Sequence, residues 1–269
     1  MIGLFSIIVV GFFLGMRHAT DPDHVIAVTT IVSRQRNIMR AAWTGIFWGI
    51  GHTITIFSVG VGIILFNLEI PVRLGMSMEL SVAIMLIFLG LMNVVSFRRL
   101  LPEISAAAHS NDSIVHSHVH SHGDYFHDHA HQHAADLPPY EHQHAPLAFL
   151  DRAFGGSQLY QHVRPLAVGL VHGLAGSAAV ALLVLATIPN SRWAIAYLLV
   201  FGIGTIAGMM VITMSIASTF YLVGRNREGF TRKLSLASGL ISLVFGSVVA
   251  YEICVVHGFF SAHPHWTPH

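Results

Sequence analysis

Charged side chains are scarce in this sequence. Only 10% of its 269 residues are Asp, Glu, Lys or Arg, whereas 54% are hydrophobic and the mean hydropathy is +0.64. Soluble domains carry roughly 25% charged residues, so the composition excludes an ordinary soluble domain and is typical of a chain that crosses a lipid bilayer several times. The formal net charge is only +1, and we expect no nucleic-acid partner.

Cysteine is almost absent as well. The single Cys254 excludes an intrachain disulfide framework and a metal site built from several thiolates. The N-terminus has neither a basic region nor a small-residue cleavage site, so residues 2–15 are expected to form a retained helix. The sequence also lacks a Walker A motif and a His-Glu-x-x-His motif, which argues against an ATPase and against a zinc protease.

Long apolar segments predict an all-α integral membrane protein with about six transmembrane helices. A spanning helix needs about 20 mostly apolar residues. The segments that qualify are 2–32, 41–66, 78–97, 165–188, 193–223 and 234–257. They divide the chain into helices 1–3 (1–97), a loop (98–164), helices 4–6 (165–257) and a short tail (258–269).

Basic residues predict the orientation, because cytoplasmic loops carry an excess of Lys and Arg. Loops 33–40, 98–164 and 224–233 carry eleven of them, whereas the opposite side has only Arg73 and Arg192. We therefore expect a protein of the cytoplasmic membrane with these three loops in the cytoplasm and both termini outside.

The two halves of the chain resemble each other. Gly15, Gly51 and Gly90 recur in similar surroundings at separations of 154, 153 and 156 residues. Three spans is an odd number, so the copies would run in opposite directions, as in the inverted repeats of secondary transporters. Glycine is common in membrane helices, and chance matches are the alternative explanation.

A polar stretch interrupts the first apolar segment. Charged groups at bilayer depth cost several kcal/mol and usually mark ligand or ion pathways. In a continuous helix His18, Asp21 and His24 would share one face. Pro22 predicts a kink, because proline cannot donate a helical hydrogen bond, and the kink could turn Asp23 towards the same face.

Imidazole combined with carboxylate suits Ni, Co, Zn or Fe, whereas an all-oxygen set suits Mg or Ca. His52 and His172 lie within other apolar segments and are further candidate ligands. A ring that only hydrogen-bonds a neighbour is the plainer interpretation of either histidine. For the polar stretch, the alternative is a structural ion-pair network in which Arg17 neutralises Asp21 or Asp23.

The long loop is rich in histidine. Its segment 109–144 holds eleven histidines and lacks the apolar periodicity of a packed core, so we expect it to be disordered and to bind metal. Its role as a buffer, sensor or delivery segment is left open. The closely spaced members are His116, His118, His120, His122, His127, His129, His131 and His133.

These motifs resemble those of the nickel/cobalt transporter (NiCoT) superfamily. Residues 17–24 resemble its Arg-His-Ala-x-Asp-Ala-Asp-His signature, with Pro22 where alanine is usual, and residues 51–53 resemble its Gly-His-Ser/Thr motif. The segment after His172 and the His-rich loop resemble a shorter branch that includes urease-accessory nickel permeases and nickel/cobalt exporters. Six predicted spans depart from the family's usual eight.

The resemblance implies that His18, Asp23 and His24 are required for transport, with Asp21 also part of the signature. It further implies Ni2+, and often Co2+, as the substrate and uptake as the direction. We therefore expect a secondary transporter rather than an enzyme. It would have no catalytic cofactor, a transition-metal ion bound in transit, and a cytoplasmic metallochaperone as partner. Efflux is the alternative, followed by a membrane metalloenzyme.

Overall fold

The structure is a computed structural model that describes residues 4–33, 37–66, 71–107, 116–122, 125–131, 158–174, 188, 190–224, 228–261 and 264–265. Its helices are α1 (Leu4–His18), α2 (Pro22–Val32), α3 (Ile38–Phe66), α4 (Val72–Ala107), α5 (Gln158–His172), α6 (Ser191–Gly224) and α7 (Glu228–Tyr251). A π-helical turn, Glu252–Val256, continues α7. Two strands, β1 (His116–His122) and β2 (Tyr125–His131), lie between α4 and α5.

Within the described residues, four helical segments are long and apolar enough to cross a membrane: Ile38–Phe66, Val72–Val95, Ser191–Leu222 and Lys233–Val256. They confirm a helical membrane protein. The predicted first span is divided between α1 and α2, which are shorter apolar helices. Of the predicted fourth span, α5 and the two residues after it are described, and 175–187 lie outside the described residues. The described residues therefore contain four candidate spans, whereas the sequence predicted six.

The predicted kink in the first span is a complete break. α1 ends at His18 and α2 begins at Pro22, while Asp21 between them has the extended conformation φ −59°, ψ 145°. The backbone N–H groups of Thr20 and Asp21 donate to the carbonyls of Arg17 and His18. Proline suits the first position of a helix, whose N–H has no partner within the helix. The break therefore follows from the local sequence.

The helices pack as a bundle and a pair. In the bundle, α6 packs against α1 and α3, and α3 packs against α5, whereas α4 and α7 form the pair. α2 lies between them and contacts α4, α6 and α7. One apolar cluster shared by these elements includes Ala27, Val28, Trp48, Leu86 and Met209. The broken first span thus places α2 at the boundary between bundle and pair.

Large apolar side chains are exposed on the outer faces of these helices. Phe13, Ile203 and Val244 are examples, each more than half exposed. In a soluble protein, such surfaces would mark interaction or aggregation sites. Here lipid would cover them, which agrees with the predicted membrane location.

The His-rich loop contains an antiparallel hairpin in which His116, His118 and His120 stand opposite His131, His129 and His127. We expected no regular structure across 109–144, and for β1 and β2 the structure differs from that expectation. The reason lies in the His-x-His spacing, whose period of two is the period of a β-strand. The hairpin also departs from the all-α prediction, but only in a segment outside the membrane helices. Residues 132–144, including His133, lie outside the described residues.

Candidate metal centre

The break between α1 and α2 brings the polar groups of four helices together. His18 is the last residue of α1, Asp23 and His24 belong to the first turn of α2, His52 lies midway along α3, and His172 is the last residue of α5. All four imidazoles are buried, none exceeding 6% exposure. We call these five residues the His/Asp cluster.

His18, His24 and His52 form the first half of the cluster. Their ligand nitrogens lie within 4.8 Å of one another, which is close enough to hold one metal ion. The Nε2 atoms of His18 and His52 are 2.9 Å apart, so one ring donates to the other when both are neutral. The ring of His24 is centred 4.8 Å from that of His18 and 4.9 Å from that of His52.

Asp23, His24 and His172 form the second half. One carboxylate oxygen of Asp23 lies 3.0 Å from His24 Nδ1, and the other lies 3.3 Å from His172 Nε2. The rings of His24 and His172 are only 4.1 Å apart at their centres. Because His24 belongs to both halves, the cluster is continuous.

The two aspartates of the signature have different positions. Asp21 Oδ2 accepts a hydrogen bond from Nδ1 of His18 at 2.8 Å, and its side chain is 35% exposed. It therefore orients the His18 ring so that Nε2 faces the cluster, as carboxylates commonly do behind a metal-binding histidine. Asp23 instead points into the cluster. In the continuous helix considered from the sequence, Asp21 would share a face with His18 and His24. The break rotates α2 relative to α1, so Asp23 faces the cluster instead and Asp21 lies behind His18.

Several buried nitrogens in the cluster lack hydrogen-bond partners among the described residues. They are Nε2 of His24, Nδ1 of His52 and both ring nitrogens of His172, whose 3.3 Å approach to Asp23 lacks hydrogen-bond geometry. An unsatisfied buried polar group costs about 1–3 kcal/mol. A bound metal ion would use such lone pairs. Arg17 is exposed, and no ion pair joins it to Asp21 or Asp23 in the described part of the chain, which disfavours the structural ion-pair network.

Trp48 also borders the cluster, although the sequence analysis did not select it. Its ring is fully buried and packs edge-on against His172 at 5.5 Å, and its indole N–H has no hydrogen-bond partner in the part of the chain that the structure describes. The available signal was its spacing, because Trp48 precedes His52 by about one helical turn. The side chains of the loop histidines lie outside what the structure describes.

Two glycines allow the helices to meet at the cluster. An added Cβ on Gly51 would collide with the backbone of Leu166 in α5, and one on Gly169 would collide with the backbone of Trp48 in α3. The backbones of α3 and α5 therefore touch beside His52 and His172. Small residues at membrane helix interfaces permit this close approach.

Fold and site together define a class: a helical membrane protein with a buried His/Asp cluster able to hold a metal ion. The chain belongs to the NicO family, described as high-affinity nickel-transport protein, whose model matches residues 4–212. It is also 34% identical over 259 residues to the urease accessory protein UreH of Bacillus sp. (strain TB-90), covering 96% of each chain. No solved structure matches.

Membership of this family confirms the resemblance drawn from the signature. The family consists of nickel-transport proteins, so a transition-metal ion is the substrate class and the prediction of a transporter rather than an enzyme is confirmed.

Proposed function

We propose that this protein is a secondary transporter that carries Ni2+, and also Co2+, into the cytoplasm through the His/Asp cluster. The observation that carries this proposal is the convergence of four buried imidazoles and one carboxylate at the break of the first span, with ring nitrogens lacking partners. The family match supports nickel as substrate. The ion is cargo and not a resident cofactor.

The chemistry of the cluster favours borderline cations. Imidazole nitrogens suit Ni2+ and Co2+, whereas Mg2+ and Ca2+ prefer oxygen ligands. The carboxylate of Asp23 offsets part of the ion's charge in a setting of low dielectric. His18, His24 and His52 hold the ion at first, and Asp23 and His172 take part as it moves around the ring of His24. Asp21 holds His18 in position.

Contacts between the two halves of the chain support an inverted repeat, and with it an alternating-access mechanism. In each of these contacts, a glycine of one half touches the backbone of the other half. Shifting both partners by nearly the separations that relate the two halves in sequence gives a second observed contact, in which the glycine belongs to the opposite half. Such an arrangement lets one half rock against the other around a central site. The matched contacts are Gly15 with Phe201 and Gly169 with Trp48, Gly51 with Leu166 and Gly204 with Phe12, and Gly90 with Leu243 and Gly246 with Ile87.

Uptake is the proposed direction, with both termini outside the cytoplasmic membrane and the His-rich loop in the cytoplasm. The membrane potential favours cation entry by about 2.3 kcal/mol per charge per 100 mV. The loop histidines then buffer the ion and pass it to a cytoplasmic metallochaperone. The loop also favours a second candidate, efflux, because a cytoplasmic His-rich segment could collect ions for extrusion.

Radioactive nickel separates the two directions. Cells that express the protein are expected to accumulate more nickel than cells with an empty vector. Accumulation below that control would favour efflux and contradict uptake.

The cluster is tested by substitution. His18→Ala and Asp23→Ala each remove a group from the cluster, so we expect nickel transport to fall to the empty-vector level while the protein remains in the membrane. His162→Ala is the matched control, because His162 lies on α5 and stacks on Phe47 at 4.4 Å, away from the cluster. Normal transport by both cluster variants would refute the site.

A further inference from the structure

A second polar group of side chains lies at the other end of α2. α2 begins at the His/Asp cluster and ends beside Ser33, about 13 Å from His24 at 1.5 Å per residue. At that end, side chains of α2, α4 and α7 meet in an apolar interior. We call them the seam: Thr30, Ser33, Asn93, Ser235 and Ser238.

The centre of the seam is a set of linked hydrogen bonds. Ser33 Oγ lies 3.1 Å from Ser235 Oγ, which in turn donates to Asn93 Oδ1 at 3.1 Å. The amide of Asn93 donates to the carbonyl oxygen of Ser235 at 2.9 Å. Thr30 donates to the carbonyl oxygen of Ser238 at 3.4 Å. None of the five residues is more than 7% exposed, so the seam is shut.

The rest of the boundary is apolar. On the same helix, Ala27, Val28 and Val32 are fully buried and pack in the cluster that includes Leu86 of α4. At the end of α2 far from the metal centre, hydroxyl and amide groups lie beside this packing. A polar contact of this kind is not required to hold the helices together, since apolar packing that includes Val32, next to Ser33, already joins them.

The seam is also weaker than the contacts around it. Hydrogen bonds between side chains of membrane helices average about 0.6 kcal/mol each, and water can replace them. By contrast, an added Cβ on Gly90 or Gly246 would collide with backbone atoms of the facing helix, so α4 and α7 touch directly. When the molecule opens, α2 is therefore expected to part from α4 and α7 rather than α4 from α7.

We infer that the seam is the gate on the side of loop 33–40, and that the ion crosses there between α2 and the α4–α7 pair. Once open, the seam offers the oxygen atoms of Ser33, Asn93 and Ser235 together with water. Oxygen holds Ni2+ less firmly than imidazole does, so the ion passes without being trapped. This inference rests on the proposed transport function, but it holds for uptake and efflux alike.

A reversible crosslink tests the gate. In a Cys254→Ser background, Ser33→Cys and Ser235→Cys place two thiols where the hydroxyl oxygens are 3.1 Å apart, within reach of a disulfide after a small adjustment. Oxidation with diamide is expected to lower nickel transport at least ten-fold, and reduction to restore it. Nickel binding to the purified, oxidised protein should remain. Each single variant under oxidation is the control.

Two results would overturn the gate. One is transport that continues unchanged when mass spectrometry shows the crosslink complete; the other is loss of nickel binding on crosslinking, because the seam would then act on the cluster itself. A second measurement does not depend on transport: the Ser33→Cys single variant should react with an impermeant maleimide from the side of loop 33–40 alone, at a rate that nickel changes.

Labelling from the opposite side, or none from either, would also overturn the gate. If the unsubstituted protein carries no nickel but Ser33→Cys is labelled from the side of loop 33–40 alone, the gate stands and the proposed cargo fails. The two proposals are therefore distinguishable.

Discussion

At the scale of single residues, neighbours and not residue type determine the role of each polar group. His52 and His162 both lie on helices of the bundle, yet His52 lies 2.9 Å from another imidazole while His162 stacks on a phenyl ring. Asp21 and Asp23 are two positions apart, yet one faces the back of His18 and the other faces His24 and His172.

This difference predicts unequal effects for two isosteric substitutions. Asp23→Asn removes the charge from the cluster, so we expect nickel affinity to fall at least 100-fold. Asp21→Asn keeps a group beside His18 and should cost about 10-fold, at the lower end of the effect of residues that orient a metal ligand. Calorimetric titration of the purified variants with Ni2+ measures both. Equal losses would contradict the positions assigned to the two carboxylates.

At the scale of elements, backbone contacts at glycine set the distance between helices and hence the shape of the cluster. An added Cβ on Gly169 would meet the backbone carbonyl of Trp48, whereas one on Gly11 would first meet the side-chain ring of Tyr197, at 3.1 Å. The two glycines therefore tolerate a methyl group to different degrees.

Gly169→Ala should force α3 and α5 apart. We expect it to lower the free energy of unfolding by about 1–3 kcal/mol, which is typical of overpacking, and to weaken nickel binding because His52 and His172 separate. Gly11→Ala is the control and should change the unfolding temperature little. Thermal unfolding in detergent checks both. An unchanged unfolding temperature for Gly169→Ala would show that the helices are less tightly packed than described.

The His-rich loop is an element separate from the cluster, so its removal should have a separate effect. Deleting 109–144 is expected to leave nickel transport measurable, since the cluster remains, while lowering the nickel retained in cells. A peptide of residues 109–144 should bind several Ni2+ ions, and the same peptide with asparagine in place of histidine should bind none. Complete loss of transport on deletion would make the loop part of the pathway.

At the scale of the whole molecule, the basic loops and the repeat together predict how the chain is threaded through the membrane. In the Cys254→Ser background, Asn67→Cys should react with an impermeant maleimide in intact cells, because its loop is predicted to lie outside. Gln35→Cys should react only after the membrane is made permeable. The reverse pattern would invert the proposed orientation and with it the side to which the seam opens.

The sequence predicted much of the site because charge in an apolar segment is costly wherever it occurs. That cost selected His18, Asp21, Asp23 and His24 together, and the ring of Pro22 predicted the kink. The roles of the two aspartates were not predictable, because they depend on how far α2 rotates after the break. Trp48 was not selected either. Its spacing of about one helical turn from His52 is a weak signal, since a buried tryptophan in a membrane helix needs no function.

By itself, the sequence determined that the chain is a helical membrane protein and placed candidate metal ligands in its first span, because hydrophobicity and ligand type are local properties of the residues. Only the tertiary structure decided that His52 and His172 join that span, that Asp23 and not Asp21 faces them, and that α2 ends in a polar seam. These depend on the angles and distances between helices, which close backbone contacts fix and no single segment encodes.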